Sequence, residues 1–154
     1  MTQLRITIDA ARAQAMIDRA LRQATHTEPM MNSIAVELLS LTEEAFASEG
    51  SPDHWPSLAA ATIHNREKKG QWPGKILQVS GALAASIQPF HNNNEAGLSS
   101  NKPYAAIHQF GGQAGRDRKV TIPARPFMPL DGNQINAEAT HAILEIVMAH
   151  FSQN

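Results

Sequence analysis

Histidine is the residue type in this sequence best suited to metal binding or proton transfer, because the free imidazole titrates near neutral pH. The 154-residue chain contains seven histidines and no cysteine. No two histidines have the His-x-x-x-His spacing of a helical metal site, and no His-Glu-x-x-His run occurs. The sequence therefore predicts no metal site. We expect His108, which lies in a mostly apolar segment, to be a satisfied and partly buried structural histidine.

Motifs for nucleophilic catalysis and phosphate binding are also missing. The tripeptide Val79-Ser80-Gly81 lacks the first glycine of a Gly-x-Ser-x-Gly elbow. The segment Gly70–Lys75 lacks the spacing of a phosphate-binding loop and has Pro73 where a backbone donor is needed. The adjacent Glu43 and Glu44 would point about 100° apart on a helix, so they do not form a carboxylate pair. We therefore predict no catalytic residue, no cofactor and no enzymatic activity.

One local cluster of positive charge consists of Arg116, Arg118 and Lys119, with Arg125 beyond it. It follows the glycine-rich segment 111–115, which favours a flexible backbone. Two interpretations are open: a mobile surface loop, or an arm that becomes ordered against an acidic protein surface or a phosphate backbone. No aromatic residue lies among these cations, which argues against stacking on single-stranded nucleic acid.

The overall composition is that of a globular protein. The hydrophobic fraction is 42%, and the net charge of −1 does not describe a general nucleic-acid binder. No apolar run reaches the roughly 18 residues that a membrane span needs, and the N-terminus lacks the pattern of a signal peptide. We expect a soluble, cytoplasmic protein with one domain over residues 1–154.

Charge is unevenly distributed along the chain. Residues 23–65 carry six acidic residues and no basic one, whereas residues 66–125 carry nine basic and three acidic residues. These segments form either separate solvated faces or opposite patches that meet across a subunit boundary. Both interpretations remain open from the sequence.

The N-terminal third predicts a strand and two helices. Leu4, Ile6 and Ile8 alternate with polar residues, as in a half-buried strand, and Asp9 is a plausible cap for a helix that ends near Ala24. A second helix is predicted from Met30 to Ser48, stopped by Gly50. The apolar stripe of the first helix is Ala13, Met16, Ile17, Ala20, Leu21 and Ala24, and that of the second is Met31, Ile34, Leu38, Leu41, Ala45 and Phe46.

Shorter elements are predicted in the rest of the chain. They are a helix within Ser57–Lys69, a short helix leading into a strand over residues 80–87, a turn at Asn92–Asn94, a helix over Tyr104–Phe110, an edge strand over Val120–Pro123, and a last helix to His150, capped by Asp131 or Asn133. This order predicts an α+β fold in which several helices pack on one face of a small antiparallel sheet.

Two paired motifs are far more specific than these patterns. Residues 104–112 read YAAIHQFGG, and residues 120–128, after the basic segment, read VTIPARPFM. The segments WPSLAAAT at 55–62 and ILQVSGALAASI at 76–87 precede them in the same order. Together they resemble the phage virion morphogenesis family, which includes tail-completion proteins of contractile-tailed phages. The resemblance covers about residues 30–150, with Met128 in place of the usual leucine and Ser80 in place of a common threonine.

The paired motifs also carry a physical interpretation. Tyr104, Ile107 and Phe110 recur every three residues and are expected to anchor one helical face. Arg125 lies between Pro123 and Pro126, and a guanidinium in such a fixed position makes bidentate contacts while staying charged. It forms either an ion pair at an interface or a tie within its own subunit. Phe127 is expected to fill the core ahead of the last helix.

The resemblance implies a structural protein of the virion neck or tail end. Such a protein would dock on the tail tube or the head-to-tail connector and act in the virion, after assembly in the host cytoplasm. A position on the tail axis implies a homo-oligomeric ring, with about six copies expected for a six-fold tail. The candidate interface residues are Tyr104, His108, Gln109, Arg116, Arg118, Lys119, Arg125 and Phe127.

Two alternatives stay open. One is an assembly factor that is absent from the finished particle. The other is a nucleic-acid-binding protein or enzyme that uses His108 and the basic segment 116–119, although we expect no specific nucleic-acid binding. We also expect residues 111–119 to be disordered in the isolated subunit and to become ordered on assembly.

Overall fold

The structure is a computed structural model that describes residues 10–153. Within them lie six α-helices: α1 (Ala10–Thr25), α2 (Glu28–Ser48), α3 (Ala60–Lys68), α4 (Ala82–Ala85), α5 (Ala105–Phe110) and α6 (Ala137–Ser152). The strands are β1 (Ile87–His91), β2 (Ala96–Ser100), β3 (Gly112–Ala114), β4 (Val120–Ile122), β5 (Leu130–Asp131) and β6 (Gln134–Ile135). The predicted strand over residues 4–8 and the cap at Asp9 lie outside the described residues.

The predicted α+β class is confirmed, and the strands are antiparallel. They form three two-stranded hairpins, β1–β2, β3–β4 and β5–β6, rather than one sheet. In the longest hairpin Ile87 pairs with Ser100 and His91 pairs with Ala96. The predicted turn at Asn92 is present, and its side-chain Oδ1 accepts hydrogen bonds from the backbone N–H groups of Asn94 and Glu95. No helix within residues 10–153 is both long and apolar enough to cross a bilayer.

Helix α2 is the element around which the core forms. Its predicted buried face is confirmed, with Ile34, Leu38 and Phe46 less than one-tenth exposed. One cluster joins the N-terminal half of α2 to α6 and contains Met30, Ile34, Leu38 and Ala139. A second cluster joins its C-terminal half to the later loops and contains Ala45, Phe46, Trp55, Leu83, Ile87 and Phe127. Leu98 of β2 packs against both clusters and so connects them.

The end of α2 uses two residues with positive φ. Glu49 adopts the left-handed conformation at φ 58°, and Gly50 follows at φ 120°. The N–H of Gly50 donates to the carbonyl of Ala45 at 2.8 Å, and the N–H of Trp55 donates to that of Glu49 at 2.8 Å. The predicted end at Ser48 is confirmed, although the first residue with positive φ is Glu49 and Gly50 is the second. The carboxylate of Glu49 accepts a hydrogen bond from the N–H of Ile76 at 2.6 Å.

Helix α1 has the predicted extent, but its apolar stripe does not enter the core. No residue of α1 is buried, and Met16 and Leu21 are 67% and 59% exposed. The helix contacts α6 near its end, where Gln23 donates to the carbonyl oxygen of Gln153 at 3.0 Å. Periodicity therefore predicted the helix correctly, whereas no element within residues 10–153 covers the apolar stripe.

The start of α6 differs from the prediction. Neither Asp131 nor Asn133 caps this helix, because residues 130–135 form the β5–β6 hairpin instead. The N-cap is Asn136, whose side-chain oxygen accepts a hydrogen bond from the N–H of Ala139 at 2.9 Å. Asp and Asn are favoured both in turns and at N-caps, so the sequence alone did not separate the two uses.

Candidate functional site

The paired motifs form one structural unit in which Gln109 is the central connection. This residue lies on α5, and its side chain is only 4% exposed. Its Oε1 accepts hydrogen bonds from the backbone N–H groups of Phe127 and Met128 at 3.0 and 2.9 Å. Its Nε2 donates to the carbonyl oxygen of Met128 at 3.2 Å. The amide thus satisfies backbone groups of an irregular buried segment that has no strand partner there.

Arg125 forms hydrogen bonds within its own subunit. Its guanidinium donates from Nε to the carbonyl of Pro56 and from Nη2 to that of Ser57, both at 2.9 Å. Its backbone N–H donates to the carbonyl oxygen of His108 at 2.8 Å, which connects it to α5. Burial lowers the pKa of Arg125, and the nearby charge of Arg66 lowers it further. Of the two interpretations of Arg125, the structure supports the bond within one subunit.

Aromatic packing completes the unit. The side chain of Phe127 is 1% exposed, and its ring centroid lies 5.3 Å from that of Phe46. Trp55 meets Phe46 edge to face at 5.6 Å and donates its Nε1 hydrogen to the carbonyl oxygen of Pro126 at 2.7 Å. The expectation that Phe127 fills the core is confirmed. The hydrogen bond of Trp55 connects the segment after α2 to the second motif.

His108 is half-buried on α5, at the edge of this unit. Its ring contacts Tyr104 edge to face at a centroid distance of 6.0 Å. Within the described residues, its Nδ1 is buried without a hydrogen-bond partner, so the expectation of a fully satisfied histidine is wrong. Burial lowers the pKa of His108, and the positive charge of Arg125 lowers it further. The imidazole is therefore neutral at physiological pH.

The outer face of α5 is more exposed than the spacing predicted. Tyr104 and Phe110, which were expected to anchor a buried face, are 41% and 52% exposed. The residue that ties α5 to the interior is Gln109, and Ile107 is partly buried. Within this six-residue helix, the amide of Gln109 makes the hydrogen bonds to the backbone of Phe127 and Met128.

The basic segment is a hairpin rather than an irregular loop. Strand β3 pairs with β4, with Gly112 opposite Ile122, and Arg116–Arg118 form a tight turn at the tip in which Asp117 and Arg118 both have positive φ. Gly115 and Asp117 have positive φ, which closes the turn. The predicted flexible arm thus has defined backbone structure in the single subunit. Only the strand expected at Val120 matched this part of the prediction.

The three cations of the hairpin tip are exposed and lie apart from the buried unit. Arg116, Arg118 and Lys119 all present their side chains to solvent, and the Nζ of Lys119 lies 3.7 Å from a carboxylate oxygen of Asp117. The structure therefore divides the eight candidate residues. Gln109, Arg125 and Phe127 are committed to the interior, whereas Tyr104 and the tip cations face outward, with His108 between the two groups. Residues 10–153 contain no cluster of side chains suited to a metal ion.

Comparison with known proteins shows the family. The sequence profile of the phage virion morphogenesis family matches residues 8–152. The chain belongs to this family. Two relatives agree with that membership. The chain is 40% identical over 122 residues to the "Mu-like prophage FluMu G protein 2" of Haemophilus influenzae, and the match covers 79% of this chain and 80% of the relative.

The second relative comes from a phage itself. The chain is 36% identical over 132 residues to the "Putative capsid assembly protein G" of Escherichia phage Mu, which covers 83% of this chain and 84% of the relative. No solved structure gives a significant match. The resemblance inferred from the paired motifs is thereby confirmed, and it extends over the described fold from α1 to α6.

One role that the sequence analysis did not assign is the hydrogen-bonding function of Gln109. The available signal is a polar amide inside an apolar helical segment that ends at the Gly111-Gly112 pair. A buried amide must find partners, and backbone groups beside proline-rich segments lack them. The two facts together point to a side-chain-to-backbone connection, but only the structure shows which backbone groups it reaches.

Proposed function

We propose that this chain is a structural protein of the virion neck or tail end that completes the tail and joins it to the head connector. The observation that carries the proposal is the family match over residues 8–152. Its proposed partners are proteins of the tail tube or the head-to-tail connector. Its proposed location is the virion, with the host cytoplasm as the place of assembly.

A role without catalysis is supported by how the subunit uses its motif residues. The side chains of Gln109 and Arg125 form hydrogen bonds with backbone atoms of the same chain. Among the exposed members, Tyr104, Arg116 and Arg118 are of residue types enriched in protein contacts. The motif in this proposal builds a rigid frame that presents a basic hairpin.

In this proposal the copies form a closed ring, because neck and tail-end positions lie on a cyclic axis. A ring requires head-to-tail contacts, in which two different surfaces of neighbouring copies meet. Exposed Glu43 and Glu44 on α2 and exposed Arg116 and Arg118 on the hairpin tip supply opposite charges for such contacts. About six copies would match a six-fold tail.

Quantitative mass spectrometry of purified phage particles tests this placement, with the major tail protein as internal standard. A low and fixed stoichiometry of about six copies per particle is expected for a ring at the tail end. A copy number comparable with that of a capsid or tube protein would contradict a terminal ring. Complete absence from clean particles would exclude a virion component.

A second candidate is an assembly factor that acts during morphogenesis and leaves before the particle is complete. The name of the phage Mu relative, a putative capsid assembly protein, favours this alternative. Deletion of the gene would then abolish the production of infectious particles, although wild-type particles do not contain the protein. Mass spectrometry of immature head and tail fractions distinguishes the candidates, because an assembly factor is expected there and not in finished virions.

A further inference from the structure

Helix α1 carries an apolar face that the described subunit leaves uncovered. Ala13, Met16, Ile17, Ala20, Leu21 and Ala24 all lie on this face and are all exposed. Ile17 at its centre is 54% exposed. An amphipathic helix normally buries such a stripe, and the burial supplies most of its stability. We call these six residues the α1 stripe.

Helix α6 carries a second exposed apolar stripe. Its inner face packs Ala139, Ile143 and Val147 with the N-terminal half of α2. Beside that face, Leu144, Met148 and Phe151 follow one another four and three residues apart and so form a line on the helix surface. All three are exposed, Met148 to 66%. We call these three residues the α6 stripe.

The two stripes do not cover each other within one subunit. Helices α1 and α6 meet near their C-terminal ends, where Gln23 donates from Nε2 to the carbonyl oxygens of His150 and Gln153 at 3.4 and 3.0 Å. The Nε2 of His150 in turn lies 2.9 Å from the carbonyl oxygen of Gln23. These contacts hold the end of α1 against α6, yet both stripes remain exposed.

Along one edge of each stripe the charges are opposite in sign and equal in spacing, whereas Asp18 lies beyond the other edge of the α1 stripe and Glu145 also lies 3.6 Å from His141 of its own helix. Arg12 and Arg19 lie seven residues apart along one edge of the α1 stripe. Glu138 and Glu145 lie seven residues apart along one edge of the α6 stripe. Seven residues of helix span about 10.5 Å, so the two pairs repeat at the same distance. Paired helices use flanking charges of this kind to select partner and orientation.

We propose that the α1 stripe of one subunit packs on the α6 stripe of a second copy of this chain. Each copy then supplies α1 to one neighbour and receives α1 from the other, which is the head-to-tail arrangement that closes into a ring. The inference deepens the ring assembly proposed above and rests on it. Its specific content is an apolar contact between α1 and α6 of neighbouring copies, in addition to the opposite charges of α2 and the hairpin tip.

Single charge substitutions in each stripe test the contact, using the full chain and light scattering after size-exclusion chromatography. Wild type is expected to associate, and Ile17→Glu and Met148→Glu are each expected to weaken association about tenfold to a hundredfold. Both positions are exposed, so the subunit should keep its wild-type circular dichroism spectrum. Val79→Glu is the matched control, because Val79 is 50% exposed and lies outside α1 and α6.

Mixing the two variants identifies the geometry of the contact. Ile17→Glu retains an intact α6 stripe, and Met148→Glu retains an intact α1 stripe, so a mixture has one good contact and should form a heterodimer that stops there. A symmetric contact of α1 with α1 would instead leave Met148→Glu associated by itself. That result would overturn the proposed pairing.

The outcomes separate this inference from the proposed function. If wild type associates and both stripe variants associate equally well, the ring remains and the α1–α6 contact is wrong. If wild type is monomeric at every concentration and also in cell extracts that contain assembled particles, both the ring and this contact are wrong. Weakened association in Val79→Glu as well would show a general effect of added charge and would also contradict the specific contact.

Discussion

Gln109 shows how one side chain can replace a missing strand. The backbone N–H groups of Phe127 and Met128 lie in a proline-rich segment that has no ladder partner, and the amide of Gln109 pairs with both. Leaving such buried groups unpaired costs more than an average hydrogen bond contributes, because they are desolvated without compensation. The residue therefore has a larger effect on folding than its small contact area indicates.

Gln109→Leu is expected to lower the free energy of unfolding by about 2–4 kcal/mol, because the buried N–H of Phe127 and the partly buried N–H of Met128 lose their acceptor. Urea denaturation followed by circular dichroism measures the change. Gln113→Leu on strand β3 is the matched control, since Gln113 is exposed and the same substitution there should change stability by less than about 0.5 kcal/mol. Equal effects at the two positions would contradict the role of Gln109.

His108 gives the stability a dependence on pH with a definite sign. Its pKa is lowered in the folded chain by burial and by Arg125. Below the ordinary histidine pKa of about 6.5, the unfolded chain therefore binds a proton that the folded chain resists. The stabilising contribution is fully present above that pH and is lost as pH falls through the lower folded value.

The substitution His108→Gln is expected to reduce the loss of stability between about pH 7.5 and pH 5.5, because it removes this titration. Thermal unfolding at several pH values measures the difference from wild type. His54→Gln is the control, since His54 is exposed in the loop that follows α2. If the pH dependence of stability were unchanged in His108→Gln and reduced in His54→Gln, the titration of His108 would not be its cause.

The junction after α2 accepts only glycine at position 50. Gly50 has φ 120°, and a Cβ there would overlap backbone atoms of Asp53 and Trp55. The turn sets the position of Trp55, whose ring contacts Phe46 and whose indole N–H reaches the second motif. The end of α2 and the buried unit around Phe127 are thus connected through one tight turn.

We expect Gly50→Ala to destabilise the protein by about 3 kcal/mol or more, because a positive φ and a backbone clash act together. Gly132→Ala provides the comparison: Gly132 also has positive φ, at 58°, but no atom lies within 4 Å of an added Cβ. Only the conformational cost of about 1–2 kcal/mol should appear there. Chemical denaturation of both variants measures the difference, and equal losses would exclude the clash.

For the whole molecule, the separation of charge leads to a prediction about assembly. The basic tip of the β3–β4 hairpin is exposed on a subunit whose long central helix carries exposed acidic residues. Opposite patches on different faces of one chain promote association between copies or with a charged partner, and salt weakens this association. Non-specific binding to nucleic acid is less favoured at a net charge of −1.

Arg116→Glu/Arg118→Glu is expected to leave folding unchanged and to reduce the joining of tails to heads by at least about tenfold. Complementation of a deletion phage, with titre and electron microscopy of unjoined heads and tails, measures the effect. Lys68→Glu/Lys69→Glu makes the same change in charge at exposed positions near the end of α3 and should leave the titre unchanged. A loss of DNA binding with steep salt dependence in the hairpin variant would instead support the nucleic-acid interpretation.

Most helices and turns were predicted from the sequence because each depends on residues that are close together in the chain. Apolar residues at helical spacing gave the extents of α1 and α2 to within two residues. The turn at Asn92 and the strand at Val120 also follow from neighbouring residues. The helix-start signal failed at Asp131, because the same residue type serves a hairpin and a helix cap.

The paired motifs were sufficient to place this chain in its family, since residue identities at fixed spacing need no coordinates. The partners of the buried residues required the tertiary structure, because they lie far apart in sequence: Arg125 bonds to the carbonyls of Pro56 and Ser57. Sequence patterns specify which faces are apolar, but not what covers them. Only the packed subunit distinguished the stripe of α2, which enters the core, from that of α1, which stays exposed because no element of the described subunit lies over it.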